Sequence, residues 1–349
     1  MEDFKVKTIA FFNHKGGVSK TTSVYHFGWM LANQGKKVLL VDADSQCNLT
    51  LTVVGQENYQ QFIEDQPNNN LKAALKAPFE SIPELIQPVD CIKVKNNDNL
   101  FLLPGSFDIT EYEVQLGVSF QLSQSFSTLK NLPGAFSYLI NKTANNIGAD
   151  IVLLDLNPSL SAINQALIVS SDYFILPTSP DYFSEMAIKS IARILPSWEH
   201  WAMQARELFK EATYPLPMVT PKFLGYTVNN FTIRNQKPAK AFQEVITNID
   251  STVERVLIPS LDKANMLLPE AAYSNYCLAE ISNFQTLQPF YQQYSTPVFE
   301  LTDQMLGSSG IVLENQKDKV KKFATIFSEF STEVLRLMDY AESNTAAAA

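Results

Sequence analysis

The 349-residue chain carries 27 Lys and Arg against 36 Asp and Glu, a net charge of −9, and 46% of its residues are hydrophobic. That composition supplies a sizeable core and contains no apolar run of membrane-spanning length. It weighs against adhesion to nucleic acid over the whole surface while permitting a local basic patch. Cys47, Cys91 and Cys277 show neither metal-ligand nor disulfide spacing, and His14, His26 and His200 join no ligand cluster. The amino terminus has no apolar signal region, so a cytoplasmic chain is expected.

In chain order, an apolar strand over 7–12 runs into Lys15-Gly16-Gly17-Val18-Ser19-Lys20-Thr21-Thr22, and a helix is expected from Thr21 to Asn33. Strand, glycine loop and helix N-terminus in that order converge backbone N–H groups on an anionic phosphate. Lys20 would sit on the β/γ-phosphates and the Thr21 hydroxyl on Mg²⁺, so ATP and Mg²⁺ are the expected cofactors. The ordinary phosphate-loop pattern fails, since Asn13 and Ser19 stand where it wants glycine. The loop reads instead as K-G-G-x-[GS]-K-T-T. Its extra lysine, Lys15, cannot easily reach its own phosphates but can reach those of a facing subunit, which predicts an ATP-dependent sandwich homodimer.

Further strands are expected at 37–42, 100–103, 150–155, 172–176, 223–228 and 255–258, alternating with helices. The wholly apolar Ile151-Val-Leu-Leu154 suits a strand buried on both faces, as in a parallel sheet. The expected fold is therefore α/β: a doubly wound, mostly parallel sheet flanked by helices, with ligands at the carboxyl ends of the strands. Asp44, Asp155 and the glycine loop all fall at such ends. Two segments read as insertions: 56–99, rich in Asn, Gln and Pro, and 197–222, with Trp198, Trp201 and Phe209 followed by three prolines. Each is surface decoration, extra core or a partner-docking surface. A C-terminal helix is expected over about 315–341, with Val320, Phe323, Phe327, Phe330, Val334 and Leu337 on one stripe and Lys317, Lys319, Lys321 and Lys322 at its start. Packing on the sheet, a DNA-contacting face and a membrane-surface helix are its three readings; Glu329, Glu333 and Asp339 disfavour the last.

Five segments in this order resemble the ParA/MinD group of deviant-Walker ATPases, and more closely its ParA branch. They are the glycine loop; Val38–Asn48, similar to V-D-x-D-x-Q-x-N; Leu100–Ser106; Asp150–Ser159, similar to a Walker B strand followed by D-x-P-P-S; and Ile175–Glu185. Weaker echoes extend the resemblance to about residue 275. The resemblance implies a single ATPase domain over 1–349, with Asp44 orienting the attacking water and Asp155 holding a magnesium-bound water. Asp42 would either join the outer shell of the metal or brace the loop. Thr21, Asp44 and Asp155 form the implied metal set; Lys15, Lys20 and Asp44 form the catalytic one. The strand end at Asn229–Asn230 would contact adenine, with Asn230 the residue assigned.

The same resemblance implies a ParB-like or other activating protein, slow hydrolysis, and nonspecific DNA as a matrix, with a membrane unlikely in that role. No room precedes the first strand for the helix-turn-helix domain of the family's autoregulating plasmid members. The sequence departs from the pattern at Asn157, where the first proline of D-x-P-P-S is missing, and at Ser19, where glycine is commoner. Iron–sulfur relatives are disfavoured by the lack of C-x-x-C, and the superfamily's tyrosine kinases by a tail holding Tyr340 alone. The strongest rival is a ParA-like switch that positions or regulates a protein complex without DNA. It is distinguished by whether the Lys and Arg near 189–193, 234–240 and 317–322 converge on one face.

Overall fold

In the computed structural model, which describes residues 6–122, 127–234, 237–238 and 240–348, eight strands form one sheet. The strands are β1 Lys7–Phe11, β2 Val38–Ala43, β3 Ile92–Lys93, β4 Leu100–Leu103, β5 Ile151–Leu156, β6 Tyr173–Thr178 and β7 Lys222–Phe231. After a separate two-stranded ladder of β8 Ile233–Arg234 and β9 Lys237–Pro238, β10 Cys277–Ser282 completes the sheet. The order is β10-β7-β6-β1-β5-β2-β4-β3, with only the edge strand β3 antiparallel to its neighbour. The expected doubly wound architecture is what forms.

Alternation along the central strands fills two cores. Ile9 and Phe11 of β1, Val38 and Leu40 of β2, and Ile151 and Leu153 of β5 face the helices Lys20–Asn33 and Gly310–Ala348. Their neighbours Ala10, Leu39, Val41, Val152 and Leu154 face Ala135–Ile147, Ala162–Val169, Tyr182–Leu208 and Lys240–Thr252. The helix after the glycine loop lies hard on the sheet: a Cβ on Gly28 would come within 2.6 Å of Leu40 Cδ2 and 3.1 Å of Leu153 Cδ1. That close seat fixes the helix N-terminus above the strand ends.

The C-terminal helix runs Gly310–Ala348, longer than the expected 315–341. Phe327, Phe330, Val334 and Leu337 are fully buried, and Phe330 meets Phe27 at 4.4 Å between ring centroids. At about 1.5–3 kcal/mol for each such side chain, packing explains the stripe. One expected strand is corrected. Residues 255–258 are helical, spanning the π-turn Val253–Leu257 and the start of the helix Ile258–Lys263. Val253, Leu257 and Leu261 recur every four residues and are buried, so a helical stripe won over a short apolar run. The late strand is β10.

Both suspected insertions contribute to the core. In 56–99 the short helices Tyr59–Asp65, Leu71–Ala74 and Lys76–Phe79 precede β3, and Leu71, Leu75, Phe79, Ile86 and Val89 are buried. The first part of 197–222 is the end of the 27-residue helix Tyr182–Leu208. There Trp198 packs 5.8 Å from Phe12, and buried Arg206 pairs with Glu199 at 2.6 Å. Arg206 also donates to Pro217 O and Val169 O, tying the proline-rich return to the sheet side.

Candidate active site

Strand pleat and register bring two carboxylates together. Asp42 and Asp155 are direct partners across β2 and β5, and by alternation both share the face of Leu40 and Leu153, beneath the helix Lys20–Asn33. Both are fully buried. Their surroundings differ. Asp42 Oδ2 accepts from Thr50 N and Thr50 Oγ1, each at 2.7 Å, while Thr50 Oγ1 accepts from Gly105 N at 3.0 Å. Asp42 therefore braces the loop. Burial still pushes its carboxyl up to about 6, with the Thr50 bonds offsetting part of the cost and Asp44 adding to it. Neither carboxylate oxygen of Asp155 has a hydrogen-bond partner. Burial and neighbouring Asp42 raise its pKa, and Thr21 and Lys20 offset this only in part.

Above the pair, the glycine loop offers an open cradle. Gly17 lies at φ 76°, and a Cβ at Gly16 or Gly17 would meet nothing within 4 Å. The helix Lys20–Asn33 has no side-chain cap and no acidic residue in its first turn, so its leading N–H groups are left for an anion. Ser19, just before it, holds the left-handed φ of 60° that favours glycine. Lys20 is buried, its Nζ donating to Asn13 O at 3.0 Å; burial lowers its pKa while Asp155 and Asp44 oppose that shift. Asn13 takes a structural part: Nδ2 donates to Pro177 O at 2.8 Å and Oδ1 accepts from Lys15 N at 2.9 Å.

A cavity of about 490 Å³ opens over the loop, bounded on its far side by Asp44, Gln46, Pro158 and Tyr291. The Asp44 turn is tight, with Oδ1 accepting from Gln46 N at 2.9 Å. Thr21 and Asp44 both line this cavity, and both act on the buried Asp155 carboxyl, Thr21 lowering its pKa and Asp44 raising it. Among the described residues no three His, Cys, Asp or Glu side chains group as a metal cage. One or two carboxylates with a hydroxyl, completed by phosphate and water, are the donors Mg²⁺ ordinarily takes, and the unpartnered Asp155 carboxylate fits that set.

A second cleft of about 420 Å³ adjoins the loop at Ser19 and Thr22. Asn230 lies at its mouth, exposed, with φ 62°. Asn229 and Asn283, also on the cleft, are the residues that sequence reasoning underweighted or missed. Asn229 Nδ2 donates to Val18 O at 2.9 Å, and the Oδ1 atoms of both residues are buried without a partner. An unpaired buried acceptor implies a donor from a ligand or water. Asn283 follows β10, a strand the sequence reading did not place.

Lys15 lies within its own subunit: Nζ donates to Asp181 Oδ2 at 2.6 Å and to Ser179 Oγ at 2.9 Å. Burial works to raise the Asp181 carboxyl, but the bonds from Lys15 and Ser179 outweigh it and hold the carboxyl below its usual range. His26 takes a structural part. Val298 N donates to Nε2 at 3.2 Å, leaving Nδ1–H for Thr22 O at 2.8 Å, and burial pushes the imidazole down to about 3. Two of the three basic segments lie on helices that pack opposite faces of the sheet. The helix bearing Lys189 and Arg193 packs one side of the sheet and the helix bearing Lys317–Lys322 packs the other. Lys189 pairs with Glu185 at 2.5 Å and Lys317 with Asp303 at 3.1 Å. The side chains of 234–240 lie outside the described residues.

A family model described as an AAA domain matches residues 6–202, more than half of the chain. The chain belongs to the ParA/MinD family of ATPases. It is 28% identical over 197 residues to the chromosome-partitioning ATPase Soj of Thermus thermophilus, a match covering 56% of this chain and 62% of Soj. Protein MJECL24 of Methanocaldococcus jannaschii is 26% identical over 237 residues, 68% of this chain and 78% of that one. Among solved structures, protein DIP2308 of Corynebacterium diphtheriae superposes with a TM-score of 0.68 at 20% identity, over 95% of this chain and 99% of that one. The pNOB8 ParA bound to nonspecific DNA gives 0.57 at 19% identity, over 96% and 99%. At such identities the structural likeness is one of fold. Among the described residues no helix is long and apolar enough to cross a membrane.

Proposed function

We propose that the chain is a cytoplasmic, Mg²⁺-dependent ATPase that dimerises around ATP and uses slow hydrolysis, stimulated by a ParB-like or other activating protein, to partition or position a cargo. The observation carrying this reading is the Asp155 carboxylate, fully buried and without a partner, beneath an uncapped helix N-terminus and beside Lys20. In this reading the backbone of Gly16, Gly17, Val18 and Ser19 cradles phosphate, with the N–H groups of Lys20, Thr21 and Thr22. Lys20 neutralises the β/γ-phosphates. The Thr21 hydroxyl and Asp155 hold the metal with its water, and Asp44 orients the attacking water. Bound there, Mg²⁺ supplies charge neutralisation on the phosphate oxygens. Lys15 acts across the dimer. The exocyclic amine of adenine donates to the free acceptors of Asn229 and Asn283, with Asn230 at the rim.

Two readings of the cargo follow from different observations. Soj is named as a chromosome-partitioning ATPase and the pNOB8 ParA was solved on nonspecific DNA, which supports DNA as the track. The opposed placement of the basic helices and the net charge of −9 favour a switch that positions a protein complex without DNA. Binding of a random-sequence duplex with ATP, ADP or no nucleotide, over a salt series and with dimer mass followed in parallel, tests both. Salt-sensitive binding with ATP alone, lost in Lys15→Ala and prolonged in Asp44→Ala, is expected of the DNA track. ATP-dependent dimers that ignore DNA select the protein cargo, and the absence of any nucleotide-dependent dimer overturns the proposal.

A further inference from the structure

The departure at Asn157 supplies a contact that the proline of the family pattern could not make. Asn157 Nδ2 donates to Ser45 Oγ at 3.0 Å, joining the loop after Asp155 to the residue that follows Asp44. Behind it, the loop is anchored. Asn164 Nδ2 donates to Asn157 O at 2.7 Å and to Ser159 O at 2.8 Å. Asn164 is fully buried on the helix Ala162–Val169. The first turn of that helix is itself held by Ser161 Oγ, which accepts from Asn164 N at 3.1 Å, and by the Glu113 carboxylate, which accepts from Ala162 N and Ile163 N. On the other side, Asp44 O accepts from Cys47 N and Asp44 Oδ1 from Gln46 N, both at 2.9 Å. Ser45 therefore sits inside a closed turn whose displacement carries Asp44 with it.

We infer that Asn157 is a positioning residue: through Ser45 it holds the turn bearing Asp44 in fixed relation to the strand end bearing Asp155. Two loops that would otherwise move independently become one unit, so a shift of the loop after β5 is transmitted to the residue that orients water. The catalytic consequence rests on the ATPase reading above; the tether itself does not. Misplacement of a water-orienting group costs rate far more than it costs affinity. Since the link is one neutral hydrogen bond between half-buried groups, its loss is expected to lower kcat by about three- to tenfold.

The test compares Asn157→Ala, Ser45→Ala and the double variant for kcat, ATP KM and thermal midpoint, with deuterium exchange of the 44–50 segment measured without nucleotide. Expected are a lowered kcat in each single variant, KM within about twofold, a double variant no slower than the slower single, and retention of rate in Ser45→Thr. Faster exchange of the segment is expected in both single variants. Unchanged kcat in the singles, losses that multiply in the double, or exchange unaltered by Asn157→Ala would each overturn the inference. If the unaltered protein hydrolyses no ATP, the ATPase reading fails, and the exchange result alone supports or overturns the tether.

Discussion

Lys15 can serve a facing subunit only after leaving its own. Its ammonium is held by Asp181 and Ser179, with side-chain exposures of 18% for Lys15 and 42% for Asp181. An ion pair this open to water contributes about 0.5–1 kcal/mol. A symmetrical sandwich must break two of them, so the pairs oppose dimerisation by about 1–2 kcal/mol in total, a factor of about 5–30 in Kd. Asp181→Asn removes the charge and keeps the cap, since Asp181 Oδ1 accepts from Ser184 N at 3.1 Å at the start of the helix Tyr182–Leu208 and asparagine caps equally well. Asp181→Ala would confuse the result by losing about 1 kcal/mol of helix capping. The assay is sedimentation equilibrium with ATP in an Asp44→Ala background, comparing Asp181 with Asn at that position. A five- to thirtyfold tighter dimer is expected. An unchanged or weaker dimer would refute the idea that this pair restrains Lys15. Full dimerisation of Lys15→Ala would refute the role of Lys15 across the interface.

Three further outcomes follow from the same geometry. Asp42 has a folded pKa of about 6 against an ordinary 3.8, so the folded state binds the proton more tightly and stability falls as pH rises from about 4 to about 6; urea melts across that window should show a shallower slope in Asp42→Asn, the remainder coming from Asp155, whose carboxyl is also raised. Ser19→Gly relieves the left-handed backbone at φ 60°, and a gain of about 0.5–1 kcal/mol, read as a small rise in thermal midpoint, is expected. Arg206→Met strands buried Glu199, which otherwise accepts from Arg206 and Thr220; a loss of about 3–5 kcal/mol in denaturant melts with ATP affinity unchanged in the folded fraction is expected.

The glycine loop, the flanking strand and helix, and the carboxylates at the ends of β2 and β5 were legible because each rests on local pattern. A run such as Ile151–Leu154 has one stable environment, and the residue closing it must emerge at a strand end. The region from 253 to 282 was misread for a related reason. Arg-Val-Leu-Ile looks like a short strand, yet Ile246, Ile249, Val253, Leu257 and Leu261 continue one helical stripe through it, and all are buried together. The true last strand, Cys277–Ser282, is only half buried and carries Glu280, so its pattern is weak. Asn283 was missed with it. The pairing of Lys15 with Asp181 joins residues 166 positions apart, a contact that depends on β1 lying beside β6 and that no local pattern encodes.

Asp42 and Asp155 show why tertiary context, not motif, divides structural from ligand-facing groups. Both are aspartates at the end of an apolar strand, both are fully buried, and they stand in register on the same face. By residue type and spacing they are equivalent. What separates them is Thr50, six residues after Asp44, whose N–H and hydroxyl both turn back onto Asp42 and whose hydroxyl oxygen also receives Gly105 N. That arrangement ties Asp42 Oδ2 to the segment that follows Asp44. Asp155 receives nothing comparable, although an unmet buried carboxylate is among the costlier arrangements a core can contain. A fold that satisfies one member of an adjacent pair and leaves the other unmet beneath the glycine loop bears an electrostatic cost of the kind a bound cation would offset. The contacts of a single threonine thus separate the residue that braces the loop from the neighbour to which the proposed function gives Mg²⁺.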